Sequence, residues 1–158
     1  MARLDDKVAL ITGAASGIGR QSALRMAEEG AGVMCADRDG EGAARTAAMI
    51  EQSGGRSASL EIDVADEGQV KASLQTTADA LGGLDIIFNN AGVGGAGHGW
   101  DGTIAVNLSG VYYGLFHGAP YLADRGGGVI INTASVAGLV GLTGIPLAGA
   151  DTTLQAGA

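Results

Sequence analysis

The apolar run Val8-Ala9-Leu10-Ile11 passes without a break into Thr12-Gly13-Ala14-Ala15-Ser16-Gly17-Ile18-Gly19, and no other stretch restricts the fold as tightly. A run this short and this apolar suits a strand buried on both faces. Glycines at 13, 17 and 19 let the backbone turn tightly, approach a ligand closely and pack a helix against the strand. The helix that begins near Gly17 would aim its unbonded N–H groups at an anion, with Ser16 and Ile18 inside the same turn. An ordinary tight turn is the alternative. A glycine-rich bend set between a strand and a helix points instead to the diphosphate of a dinucleotide.

Short apolar runs and longer stretches of helical period alternate along the rest of the chain, the pattern of stacked β-α-β units with a parallel sheet. In the first helix Ile18, Ala23, Leu24 and Met26 form the apolar side, opposite Arg20, Arg25, Glu28 and Glu29. A second strand is expected at 32–36, a second helix at 42–52, and a third strand within 57–64, where Ala58, Leu60 and Ile62 alternate with polar residues. Asp66 should cap a helix running to about Leu81. A fourth strand at 85–88, a long helix over 100–124 and a fifth strand at 129–132 complete the series. Right-handed crossovers then give an α/β, Rossmann-like, doubly wound parallel sheet of about five strands in the order 3-2-1-4-5, with its ligand crevice at the carboxyl ends of strands one and four. We expect a single domain over 1–146 and an atypical glycine- and alanine-rich tail over 147–158, with nothing after Pro146 that resembles a sixth strand.

Composition narrows the partners. The 158 residues suffice for one core, and 46% hydrophobic against 16% charged residues argues against a disordered chain. A net charge of -8, with Lys7 and Lys71 the only lysines, would repel a phosphate backbone, so nucleic acid is not an expected partner. Residues 128–150 carry no charge, yet Asn132, Thr133, Ser135, Thr143, Pro146 and several glycines mark a buried strand and a loop rather than a membrane span. Cys35 has no partner for a disulfide and the start MARLDDKV lacks an apolar signal core, which points to the cytoplasm.

Asp37 follows the second strand about 20 residues beyond the turn, where a carboxylate accepts hydrogen bonds from ribose hydroxyls and repels a 2′-phosphate. This favours NAD over NADP, although Arg38 stands beside it and a solvated loop aspartate is the plainer reading. The Gly-x-x-x-Gly-x-Gly turn, Asp63-Val64 and Asn89-Asn90-Ala91-Gly92 together make the chain, as far as Pro146, resemble the short-chain dehydrogenase/reductase family. That resemblance implies that Asp63 and Val64 contact adenine and that Asn90, Ala91 and Gly92 line the floor beneath the cofactor. It further implies that Asn107 holds a proton-relay water and that Ser135 hydrogen-bonds the carbonyl of an alcohol or ketone substrate. For Asn107 and Ser135 the plainer alternative is a local backbone hydrogen bond.

The sequence departs from the family in three places. By the family's usual spacing from Ser135, the tyrosine that acts as acid or base and the lysine that assists it fall on Ala148 and Thr152, and no tyrosine or lysine follows Tyr121. Loss of such a positioned group lowers rates by about 10²- to 10⁴-fold, and neither Ser135 nor Asp151 is placed to replace it. The connection over 92–107 is short and glycine-rich, with His98 expected in solvent and His117 on a helix surface. The family's later strands are absent, which would leave an apolar edge on the fifth strand. The expectation is an NAD(P)-dependent oxidoreductase by descent, an incomplete copy with little or no activity, from a frameshift or premature stop. The alternative is a non-catalytic NAD-binding module that forms a homo- or hetero-oligomer through the helix over 100–124.

Overall fold

A computed structural model describes residues 2–135, with Gly95 and Ala96 described by their backbone alone. The expectations placed on Pro146, Ala148, Asp151, Thr152 and the tail over 147–158 lie outside the described residues.

Strands β1 (Val8–Thr12), β2 (Gly32–Asp37), β3 (Arg56–Glu61), β4 (Ile86–Asn89) and β5 (Val129–Asn132) form a single sheet in the order β3-β2-β1-β4-β5. Each neighbouring pair is parallel. The expected architecture is therefore the observed one. Helices α1 (Gly17–Glu28), α2 (Gly40–Gln52) and α3 (Glu67–Leu81) follow the first three strands, and α4 (Gly95–Ile104), a π-helical turn (Ala105–Ser109) and α5 (Gly110–Asp124) link β4 to β5. No helix among the described residues is long and apolar enough to cross a membrane.

Because side chains alternate across a strand, β1 and β2 feed two cores. On one face Val8, Leu10, Met34 and Ala36 pack with Val70, Leu74 and Leu81 of α3 and with Leu122 of α5. On the other, Ala9, Ile11, Val33 and Cys35 meet Ala23, Ala43, Ala47 and Ile50 from α1 and α2. The second core is built largely from alanine, so those helices lie close to the sheet. Burying one side chain the size of Leu10 or Ile50 contributes about 1.5–3 kcal/mol.

Several boundaries depart from the sequence reading. Helix α2 begins at Gly40 rather than Gly42, because the Asp39 carboxylate accepts the Gly42 N–H at 2.9 Å and starts the helix early. Strand β3 ends at Glu61, and Ile62 turns inward after it rather than within it. The helix expected over 100–124 instead starts at Gly95, bends at Gly99 (φ 64°, ψ -173°), and widens into the π turn before α5. Ile18, assigned to the apolar side of α1, is 65% exposed. The cap of α3 is as expected, with Asp66 accepting the Gln69 N–H at 3.0 Å and a left-handed Gly82 closing the helix after Leu81. His98 is exposed, and His117 packs at a helix surface with Nε2 2.7 Å from Glu67 Oε1. Among the described residues β5 is an edge strand, with Val129 and Ile131 exposed.

Candidate functional site

The bend after β1 is shaped by what a side chain would collide with. Gly13 takes φ +69°, and a Cβ there would lie 2.9 Å from Asn90 Nδ2 and 3.0 Å from the Ala91 Cα. At Gly19 a Cβ would fall 2.0 Å from the Gly13 carbonyl oxygen, so only glycine lets α1 seat against the bend. Gly17 differs from both. It has φ +52° and nothing within 4 Å of its Cβ position, which leaves open space at the head of α1. Ser16, the residue before α1, makes no side-chain cap, and the first turn holds no acidic residue. Ser16, Gly17 and Ile18 all face solvent there.

Behind the bend lies a polar brace. The Ala14 N–H donates to the Ala36 carbonyl at 3.1 Å. The buried Thr46 hydroxyl of α2 lies 2.8 Å from the Ala14 carbonyl, and Arg20 Nε donates to that hydroxyl oxygen at 3.2 Å. Arg20 also donates to the Ala15 carbonyl. Asp37, half-buried at the end of β2, accepts the Ala15 N–H on Oδ2 and the Asp39 N–H on Oδ1, each at 2.9 Å. A carboxylate oxygen has two lone pairs, so Asp37 is held in place and keeps capacity for a further donor.

The end of β4 closes the other side. Thr12 Oγ1 accepts the backbone N–H groups of Asn90 and Ala91 at 3.0 and 3.1 Å, while Asn90 Nδ2 donates to the Thr12 carbonyl at 3.0 Å. Asn89 donates to Asn132 across the strand pair at 2.9 Å. Gly92 is exposed at the rim. Asp63 is half-buried beyond β3, where its Oδ1 accepts the Ala65 N–H at 2.9 Å, and Val64 is 8% exposed within the core, against Gly110.

Asn107 sits at the centre of the π turn and is 2% exposed. Its Oδ1 accepts the Val93 N–H at 2.8 Å and its Nδ2 donates to the Val93 carbonyl at 2.9 Å, so one side-chain amide pairs with the chain just past Gly92. Such π turns recur at functional sites because they re-aim the groups they carry. Ser135 is half-buried, three residues past β5.

Gly13, Gly17, Gly19, Asp37, Asn90 and Ala91 thus converge on one bend. Asp63, Asn107 and Ser135 arrive from three other segments at the carboxyl ends of the strands. Thr12, Arg20, Thr46 and Thr133 were missed in the sequence reading. A buried hydroxyl such as Thr46 within the otherwise apolar face of α2 was the signal available.

A family model described as short chain dehydrogenase matches residues 7–150. Among curated proteins, cyclohexanol dehydrogenase of Acinetobacter sp. (strain SE19) is 38% identical over 151 residues, covering 90% of this chain and 60% of that protein. D-threitol dehydrogenase of Mycolicibacterium smegmatis is 40% identical over 147 residues, covering 89% of this chain and 56% of that protein. A short-chain dehydrogenase/reductase from Burkholderia phymatum, solved in complex with NAD, superposes with a TM-score of 0.88 at 33% identity, over 99% of this chain and 59% of that one. This chain spans only about three-fifths of the length of such relatives.

Proposed function

From the premise that the chain belongs to the short-chain dehydrogenase/reductase family, we propose that it binds NAD in preference to NADP and is an oxidoreductase for secondary alcohols and ketones by descent, with weak turnover of its own. The carrying observation is the open face of Gly17 at the uncapped head of α1. Backbone N–H groups there have room for an anion, and the helix dipole adds about 0.3–1 kcal/mol at an exposed site. Gly13 and Gly19 set the bend, Ser16 and Ile18 flank the diphosphate, and Asp37 receives the ribose hydroxyls. A 2′-phosphate brought to Asp37 would meet a fixed negative charge, which supports NAD. Asp63 and Val64 bound the adenine, and Asn90, Ala91 and Gly92 form the floor.

When bound, the dinucleotide supplies the hydride donor or acceptor. Ser135 hydrogen-bonds the substrate oxygen, and Asn107, tied to Val93, steadies the wall from which a relay water is held. By the family's usual spacing from Ser135, the tyrosine and lysine positions fall on Ala148 and Thr152; without that acid, turnover should fall about 10²- to 10⁴-fold. The lone buried Cys35 fits a reducing compartment, and we place the protein in the cytoplasm.

A second reading is favoured by one observation. Trp100, Tyr112 and Phe116 lie more than half exposed on α4 and α5, a surface suited to pairing with another subunit, so the chain could serve as a non-catalytic NAD-binding partner. Heating the protein with and without NADH, alongside a turnover assay over secondary alcohols, tests the proposal. NADH should raise the melting temperature, as any ligand of the folded state does, with slow but measurable oxidation of some alcohol. No thermal shift overturns NAD binding, and a clear shift with no turnover at all favours the second reading.

A further inference from the structure

The side-chain amide of Asn90 is held at both ends. Nδ2 donates to the Thr12 carbonyl at 3.0 Å and reaches that of Gly13 at 3.4 Å, while Oδ1 accepts the Thr133 hydroxyl at 3.0 Å. Thr133 does not reach this position on a loose loop. Its own N–H donates to the Asn89 carbonyl at 3.0 Å, which carries the parallel β4–β5 ladder one residue past the Asn89–Asn132 pair. The hydroxyl is therefore delivered by the sheet.

Space around this amide is tight. The Cβ positions of Gly13 and Gly19 lie 2.9 and 2.7 Å from Asn90 Nδ2, so β1, α1 and the end of β4 all crowd one group. A movement of Asn90 is passed directly to the bend, because close-packed neighbours leave no slack to absorb it. Reversed end for end, the amide would set Oδ1 against two carbonyl oxygens, and a donor on its far side holds it in the productive sense.

We propose that Thr133 is a positioning residue of the dinucleotide site. Acting through Asn90, its hydroxyl fixes the carbonyls of Thr12 and Gly13, and it joins that bend to the segment carrying Ser135 two residues later. This rests on the function proposed above, and it assigns a cofactor-binding role to a residue on the substrate side of the sheet.

The test compares NADH dissociation constants and cofactor-free melting temperatures for wild type, Thr133→Val and Thr133→Ser. Valine keeps the shape and removes the donor, and serine keeps the donor. Thr133→Val should bind NADH roughly three- to tenfold more weakly, the worth of one hydrogen bond, with Thr133→Ser within about twofold of wild type. Equal affinity in all three overturns the proposal, as does a lowered melting temperature in Thr133→Val with unchanged affinity, or a serine variant as weak as the valine one. Should Thr133→Val not fold, ¹⁵N-labelled wild type carries the test. The Asn90 side-chain amide should then exchange slowly with solvent and shift on NADH addition, and fast exchange with no shift overturns the role. Absence of NADH binding by wild type removes the proposed function and this inference together, whereas equal binding by all three removes the inference alone.

Discussion

Two glycines two residues apart in the same bend do different work, and the difference can be measured. At Gly19 a methyl group would meet the Gly13 carbonyl at 2.0 Å, whereas at Gly17 it would meet nothing within 4 Å. Gly19→Ala must push α1 off the bend, so it should destabilise the fold by about 1–3 kcal/mol and abolish NADH binding. Gly17→Ala carries only the strain of its positive φ, of the order of 1 kcal/mol, yet it places a methyl group where the diphosphate is proposed to lie. Denaturant melts and NADH titrations of both variants check this, and a Gly17→Ala protein with undiminished affinity would contradict the role given to that open face. These glycines were legible in the sequence because their spacing sits between an apolar run and a helix. Thr46 and Thr133 were not, because a threonine's worth here comes from partners 32 and 43 residues away in the chain.

Elements were legible where a pattern has a single physical cause. The apolar runs of β1, β2, β4 and β5 and the Asp66 cap of α3 all appear close to where the residues placed them. The bend at Gly99 and the π turn were not, since apolar residues continue through Ile104, Ala105, Val106 and Leu108 without a break in character. At the π turn Asn107 pairs with Val93, a tertiary contact that no local pattern announces. The amino-terminal segment before β1 offers a titratable test at this scale. Arg3 holds Glu29 through its side chain and its backbone N–H, with Arg25 adding its charge, and these hydrogen bonds lower the Glu29 carboxyl from 4.5 to about 2. A carboxyl depressed on folding stabilises above its unfolded value, and the contribution is lost as pH falls through the folded one. The Leu4 N–H, bonded to the Glu29 carbonyl at 2.8 Å, should therefore lose protection from hydrogen exchange between pH 4.5 and about 2, ahead of the sheet amides. Constant protection over that interval would show that the Arg3–Glu29 tie does not hold the segment.

For the whole molecule, the alternation of runs and right-handed crossovers leave only a few doubly wound topologies, and the expected order 3-2-1-4-5 is the one observed. That order brings the bend after β1 beside the end of β4, and with it Thr12 beside Asn90, which no local pattern could have announced. Among the described residues it also leaves β5 at the edge, with Val129 and Ile131 exposed. In the crevice so formed, the head of α1 is proposed to receive a diphosphate and Asp37 to select the sugar beside it. Calorimetric titration of folded protein with NADH and with NADPH tests it most directly. The expected result is saturable heat with NADH and binding at least roughly tenfold weaker with NADPH; no heat from either nucleotide, in protein that melts cooperatively, would contradict it.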